Sequence, residues 1–241
     1  MNRSYDIVKR VLDVVLAATG LLLATPVLAA VALAVLVTMG RPVLFRQARP
    51  GRHGQLFHLV KFRSMTVGGE DQAPANDAAR LTTFGRWLRT TSLDELPQLW
   101  NVLRGEMSLV GPRPLLPAYL SRYSPEQLRR HDVRPGITGL QQVYGRNALS
   151  WDDRFALDVR YVRQRSLALD LRILLRTVRT VVRREGITAA GAATAHEFLG
   201  PAEPATVHGV PGPAKPATVH GFPGPAELAG AGGPGPAEGR R

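Results

Sequence analysis

The stretch VVLAATGLLLATPVLAAVALAVLVTM, Val14 to Met39, contains no charged residue. It exceeds the ~20 residues that an α-helix needs to cross a bilayer. A secretory signal peptide is the alternative, but its apolar region is only about 7 to 15 residues long. The stretch therefore predicts a membrane-embedded helix, which decides the class of fold.

The path of this helix through the membrane is indicated by its proline and its flanks. Pro26 removes a backbone donor near the middle, so a kink is predicted at Thr25-Pro26. A single span normally has most of its positive charge on the cytoplasmic side. Here basic residues lie on both sides: Arg3, Lys9, Arg10, Arg41, Arg46, Arg49 and Arg52. The flanks favour a re-entrant hairpin over residues 1–41, and a kinked true span remains the alternative.

Residues 42–188 have the pattern of a small globular domain. Short apolar runs such as Leu56–Phe62 suit strands, and longer periodic stretches suit helices. Together with the anchor they predict an α+β, helix-rich fold. Residues 166–184 predict a basic amphipathic helix, which either lies at the membrane interface or packs on the core with a solvated basic face. Its predicted apolar face contains Leu167, Leu171, Leu174, Leu175, Val178, Val181 and Val182.

Residues 189–241 form a region of different composition. Within it PATVHGVPGPAK, residues 204–215, is followed at once by PATVHGFPGPAE, residues 216–227. Pro/Gly-rich repeats of this kind are typical of disordered segments. The region is predicted to be a disordered passive extension, with a partner-binding tail as the alternative.

The composition limits the partners and the metal chemistry. The net charge is +12, so the chain should bind anionic partners such as phospholipid, nucleic acid or phosphorylated metabolites. The chain has no cysteine, which excludes disulfides and thiolate metal sites. The histidines do not group at ligand spacing, so any metal is expected to be a hard cation held by carboxylates.

The run SLDELP, residues 92–97, has two adjacent acids, Asp94 and Glu95. Its structural interpretation is a capping box, in which Ser92 and Glu95 begin a helix. The neighbouring motifs favour chemistry instead, because they place basic residues beside turns and glycines: KFRSM at 61–65, RWLRTTS at 86–92, GPRP at 111–114, HDVRPGITG at 131–139 and YGRN at 144–147. Carboxylates with several fixed guanidinium groups suit phosphoryl transfer on an anionic substrate.

These motifs resemble the bacterial sugar transferases of the monotopic phosphoglycosyl transferase family, which includes the PglC-like enzymes. The resemblance covers roughly residues 5 to 187, and its most specific part is LDELPQLWNVLRGEMSLVGPRP, residues 93–114. Other matching motifs are KRVLDVVLA, the Thr25-Pro26 kink, RPG at 49–51, KFRSM, VRPGITG, GRN and LDVRYV at 157–162.

The resemblance implies a reaction. Asp94 would attack the β-phosphate of a nucleotide-activated sugar, expected to be a UDP-sugar, and release the nucleoside monophosphate. Polyprenyl phosphate would then accept the phosphosugar from the enzyme. Glu95 is implied as the partner of Asp94, with Mg²⁺ as the ion that both would bind. Lys61, Arg89 and Arg113 correspond to phosphate-binding positions.

Three further residues are expected to bind substrate: Arg134 in VRPGITG, Arg146 in GRN and Asp158 in LDVRYV. The family also implies a monotopic protein on the cytoplasmic face of the cell membrane, without nucleic acid, and leaves a homodimer open. The run LQQVYGRN, residues 140–147, departs from the usual family pattern where donor selectivity could lie.

Two other functions are weighed. A membrane-tethered basic adaptor or nucleic-acid-binding protein would explain the charge and the anchor, but it gives Asp94 and Glu95 no task. A glycosyltransferase that moves only the sugar would release a nucleoside diphosphate instead of a monophosphate.

Overall fold

A computed structural model describes residues 3–66, 80–145, 149–183 and 198–200 of the chain. Within these residues the helices are α1 (Arg3–Met39), α2 (Thr83–Thr91), α3 (Gln98–Arg104), α4 (Pro125–Leu128), α5 (Leu140–Tyr144), α6 (Trp151–Gln164) and α7 (Leu167–Arg183). The strands are β1 (Leu44–Pro50), β2 (Leu56–Phe62), β3 (Ser108–Val110) and β4 (Gly136–Thr138). These elements confirm a helix-rich α+β fold.

Helix α1 contains the long apolar stretch and is continuous from Arg3 to Met39, with Pro26 inside it. Thr25 Oγ1 donates to the carbonyl of Leu21 at 2.9 Å, which adds a hydrogen bond beside the position where proline lacks an amide donor. Among the described residues, α1 is the one helix long and apolar enough to cross a membrane. The kink and the re-entrant path stay predictions.

Both halves of α1 pack against the globular domain. Ala17, in the first half, is fully buried in a cluster that includes Phe57 of β2. Val35, in the second half, is fully buried in a cluster with Phe62 of β2 and Leu88 of α2. The membrane segment and the domain therefore share hydrophobic cores at two places along the helix.

Arg63, which directly follows β2, fixes the C-terminal end of α1. Its Nη1 donates to the carbonyl of Arg41 at 3.1 Å, and its Nη2 donates to the carbonyls of Gly40, at 2.7 Å, and Met39. A cation here also complements the negative end of the helix dipole. The end of the membrane segment is thereby tied to the strand that carries Lys61.

The strands form two small sheets. β1 and β2 pair in an antiparallel hairpin, in which Phe45 lies opposite Lys61. β3 and β4 pair in parallel. Gly111, which follows β3, has no room for a side chain, because a Cβ there would lie 2.5 Å from the carbonyl oxygen of Arg134. This close approach packs the GPRP segment directly against the residues that precede β4.

Helix α7 is joined to the domain by a narrow strip that includes Asp170 and Ile173, both buried. Most of its predicted apolar face points away from the core: Leu171, Leu175 and Val178 are 57%, 63% and 63% exposed. Leu174, which was assigned to the same face, packs against the core instead. The core-packing interpretation is therefore wrong for most of this face, and the exposed strip is the kind of surface that an interfacial helix needs.

Phe198 packs on the domain, although it lies in the range that was predicted as tail. Phe198 is 2% exposed and joins an aromatic cluster with Tyr119, Tyr123, Trp151 and Phe155. The packing therefore continues beyond the predicted domain boundary at residue 188. The repeats at 204–227, and the rest of the predicted tail, lie outside the described residues.

Candidate active site

The turn that carries the two acids lies between α2 and α3. Ser92 ends α2 in the left-handed conformation, with φ 57°, and its side chain makes no capping hydrogen bond. Leu93 to Glu95 form a single 3₁₀ turn. The predicted capping box is therefore wrong, and Asp94 lies in this turn with only 5% exposure. The turn therefore holds a carboxylate, that of Asp94, which has no role in capping a helix.

Two cations approach Asp94 from neighbouring elements. Lys61 lies at the end of β2 with its Nζ 5.3 Å from the centre of the Phe45 ring, and burial together with Arg89 lowers the pKa of Lys61 to about 8. Arg89 of α2 donates from Nε to Ser64 Oγ at 3.0 Å. Gly85 permits this arrangement, because a Cβ there would overlap the carbonyl of Ser64.

A third cation belongs to the GPRP segment. Arg113 Nη2 donates to Glu95 Oε1 at 2.7 Å, and the charge of Glu95 raises the pKa of Arg113. Two prolines flank Arg113, which stiffens its backbone. The site thus holds an arginine whose fork geometry suits a phosphate or a carboxylate.

Arg49 of β1 is a further cation that was not predicted as a site residue. Its Nη2 donates to Gln47 Oε1 at 2.6 Å, and its Nη1 lies 3.5 Å from the carbonyl oxygen of Pro114. Burial and the nearby Arg113 lower the pKa of Arg49 to about 10. Its signal in the sequence is the RPG motif, which carried the family resemblance without assigning Arg49 a role.

We call Lys61, Arg89, Asp94, Glu95 and Arg113 the dyad cluster. Burial and the adjacent Glu95 raise the pKa of Asp94 to about 6, while the surrounding cations oppose that rise. The cluster has three cations and two carboxylates, so it holds one formal positive charge in excess, and Arg49 is a further cation beside Arg113. An anionic ligand would balance this excess.

The dyad cluster fits a hard divalent cation only together with a ligand. Among the described residues, no group of three or more metal-ligating side chains forms a closed site. Mg²⁺ is usually held by one or two carboxylates together with substrate phosphates and water. Asp94 and Glu95 supply such a pair of carboxylates, so the predicted Mg²⁺ ligands are compatible with this geometry.

Two of the three other predicted binding residues, Arg134 and Asp158, have partners outside the dyad cluster. Arg134 Nε donates to the carbonyl of Gly105 at 2.8 Å, at the C-terminal end of α3, whereas Asp94 precedes the other end of that helix. Asp158 is 1% exposed and faces the buried Arg130 at 2.7 Å. Arg146 lies outside the described residues. Substrate binding by these three residues stays a prediction.

Comparisons with known proteins identify the family. The sequence model described as "Bacterial sugar transferase" matches residues 4–184. The chain belongs to the bacterial sugar transferase family. The membership confirms the resemblance inferred from the motifs, and it does not favour a nucleic-acid-binding adaptor.

Individual relatives cover most of the chain. A Bacillus subtilis protein named "Uncharacterized sugar transferase EpsL" is 50% identical over 201 residues, which span 82% of this chain and 98% of the relative. A Caulobacter vibrioides "UDP-glucose:undecaprenyl-phosphate glucose-1-phosphate transferase" is 47% identical, over 72% of this chain and 69% of the relative. A Salmonella typhimurium "Undecaprenyl-phosphate galactose phosphotransferase" is 40% identical over 77% of this chain, which spans only 42% of that relative's length.

Proposed function

We propose that this sugar transferase moves a sugar phosphate from a UDP-sugar to a polyprenyl phosphate, and that undecaprenyl phosphate is the acceptor. The observation that carries the proposal is the dyad cluster, in which a buried Asp94 is surrounded by cations in excess of carboxylates. A nucleotide sugar brings a diphosphate with two negative charges, and an excess of positive charge attracts such an anion. The names of the Caulobacter and Salmonella relatives support the same class of reaction.

The first step is the formation of an acyl phosphate on Asp94. A carboxylate oxygen of Asp94 attacks the β-phosphorus, and the bond between that phosphorus and the bridging oxygen breaks. The electron pair leaves with the nucleoside monophosphate. Arg113, Arg89 and Lys61 hold the nonreacting oxygens, where negative charge must be stabilised.

The second step returns Asp94 to its starting form. An oxygen of the polyprenyl phosphate attacks the phosphorus held on Asp94, and the bond between phosphorus and the carboxylate oxygen breaks. The products are a polyprenyl diphosphate sugar and free Asp94. Bound Mg²⁺, held by Asp94 and Glu95, would supply further neutralisation of the diphosphate charge.

The membrane location follows from the lipid acceptor. Arg63 ties the end of α1 to the strand of Lys61, so the dyad cluster is built close to the end of the membrane segment. The exposed apolar strip of α7 offers a second membrane contact. We place the protein on the cytoplasmic face, with α1 as a re-entrant helix, because both halves of α1 pack against the same domain.

The test is to incubate membranes that contain the protein with a panel of nucleotide sugars and undecaprenyl phosphate. We expect release of a nucleoside monophosphate together with a lipid-linked diphosphate sugar. Release of a nucleoside diphosphate would instead identify transfer of the sugar alone. Lack of any product with every donor, in folded membrane-bound protein, would contradict both reactions.

A further inference from the structure

The backbone of the GPRP segment is held by a buried arginine that was absent from the predicted site. Arg130 is 2% exposed, and its Nη2 donates to the carbonyl of Arg113 at 2.6 Å. The side chain of Arg113 in turn donates to Glu95. Arg130 therefore acts on the dyad cluster through the main chain of Arg113, without reaching the reacting groups itself.

Arg130 is itself fixed by a buried ion pair. Its Nε and Nη2 donate to Asp158 Oδ2 at 3.2 and 2.7 Å, and its Nη1 donates to the hydroxyl of Tyr123 at 2.9 Å. Buried ion pairs are costly to desolvate and contribute little net stability, but removal of one partner is strongly destabilising. The pair of Arg130 and Asp158, which we call the buried pair, is thus suited to set the position of a loop.

Two aromatic rings enclose the guanidinium of Arg130. Its central carbon lies 5.6 Å from the centre of the Tyr123 ring and 5.5 Å from that of Phe155. Phe198 covers both rings: its own centre lies 5.8 Å from Tyr123, in a stacked arrangement, and 4.9 Å from Phe155, edge to face. Phe198 thereby packs against both of the rings that lie beside Arg130.

The main chain of Phe198 is also bound to the domain. Its amide donates to the hydroxyl of Tyr119 at 3.2 Å, and its carbonyl accepts from Arg122 Nη1. The next residue, Leu199, is 81% exposed. Burial is therefore specific to Phe198 and is not shared by its neighbour.

We propose that Phe198 and Arg130 are positioning residues of the active site, in which Phe198 closes the aromatic cluster around Arg130 and Arg130 holds Arg113 beside Glu95. This inference rests on the proposed function, because Arg113 is taken to bind the donor's phosphates. Loss of the Phe198 ring leaves a cavity into which Tyr123 and Phe155 relax. Arg130 then loses its fixed position, and the Arg113 loop shifts with it.

The main experiment compares Phe198→Ala with Leu199→Ala in the full-length, membrane-bound chain. Steady-state release of nucleoside monophosphate is measured at a temperature at which both variants are folded. We expect kcat/KM for the nucleotide sugar to fall by roughly tenfold or more in Phe198→Ala, since a displacement of 1 Å can cost about 10²-fold. Leu199→Ala should match the parent protein. Phe198→Leu, which refills part of the cavity, should have an intermediate kcat/KM. If Phe198→Ala does not fold, Phe198→Leu takes its place in the comparison.

Two further variants test the route through Arg130. Arg130→Lys should lower kcat/KM by itself, and adding Phe198→Ala to it should cost little more, because both changes release the same loop. A purely structural role for Phe198 would give independent, multiplicative losses. Deletion of residues 201–241 should leave kcat/KM unchanged, whereas deletion of residues 198–241 should reproduce the loss seen in Phe198→Ala.

Hydrogen exchange separates this inference from the proposed function. Backbone amides of residues 108–116 should exchange faster in Phe198→Ala than in Leu199→Ala, whether or not a donor has been found. Equal exchange and equal kcat/KM in the two variants would overturn the inference while leaving the proposed function in place. A parent protein without nucleoside monophosphate release would overturn the proposed function, and exchange alone would then decide the inference.

Discussion

The dyad cluster and the buried pair both contact Arg113, but they differ in burial and in charge. In the dyad cluster the Arg113 and Glu95 side chains are 43% and 22% exposed, and cations outnumber carboxylates. In the buried pair the Arg130 and Asp158 side chains are 1% and 2% exposed, and the charges match one to one. Accessible excess charge indicates a ligand site, whereas matched, inaccessible charge indicates architecture.

The largest expected effect is the loss of the nucleophile. Asp94→Asn should reduce turnover by roughly 10³-fold or more and abolish trapping of a labelled phosphosugar on the protein, because an amide cannot attack phosphorus in the same way. Asp152→Asn, at an exposed position on α6, is the matched control and should be silent. Near-normal turnover in Asp94→Asn would refute the assignment.

Glu95→Gln should have the next largest effect on activity. It removes the negative charge that Arg113 faces at 2.7 Å and one of the two expected Mg²⁺ ligands. We expect turnover to fall by roughly 10²-fold, within the range typical of a missing acid, base or ligand group. The test is single-turnover kinetics with excess protein. An unchanged rate would show that Glu95 only holds the loop.

Acid should destabilise the buried region. His131 Nδ1 lies 3.0 Å from the Gly51 carbonyl oxygen, and burial with the adjacent Arg130 lowers the pKa of His131 to about 4. Between pH 6.5 and 4 the unfolded chain therefore binds this proton more readily than the folded one. The free energy of unfolding should therefore decrease as the pH is lowered through this window, by up to about 3 kcal/mol from this group.

His131→Asn should weaken the pH dependence in that window. Thermal midpoints at pH 7 and pH 4.5 measure it, and His58→Asn, at an exposed position on β2, serves as the control. If His131→Asn and His58→Asn lose stability equally on acidification, the buried imidazole does not control the response to acid.

The smallest expected effect separates two arginines by their partners. Arg113→Lys should raise KM for the nucleotide sugar about tenfold, because lysine cannot form the bidentate contact with phosphate. Arg134→Lys should lower stability by about 1 kcal/mol with little change in KM, since its Nε bonds a helix-end carbonyl. An equal rise in KM would support the original prediction that Arg134 binds substrate.

The dyad cluster was largely predictable because its members lie in short motifs whose residue types suit only a few chemistries. Asp94, Glu95, Lys61, Arg89 and Arg113 come together as expected. The local conformation was not predictable: S-x-x-E satisfies a capping box on paper, but Ser92 is used to end α2. Sequence spacing alone cannot decide whether a residue such as Ser92 ends the preceding helix or begins the following one.

Arg130 and Phe198 were missed for different physical reasons. A fully buried arginine is rare, and the carboxylate that makes it tolerable is 28 positions away in the chain. Phe198 adjoins a Pro/Gly-rich region that offers almost no apolar periodicity. One aromatic residue gives no pattern, so its burial depends entirely on the cavity that the domain provides.

The packing of α1 restricts how this protein can be re-engineered. Since Ala17 and Val35 complete hydrophobic clusters of the domain, α1 is a folding partner as well as a tether. A chimera with a foreign anchor would reach the bilayer but leave two gaps in its interior. Versions that lack α1 should aggregate for the same reason. Solubilisation of the full-length protein in a detergent that covers the lipid-facing side of α1 is the better route to purification.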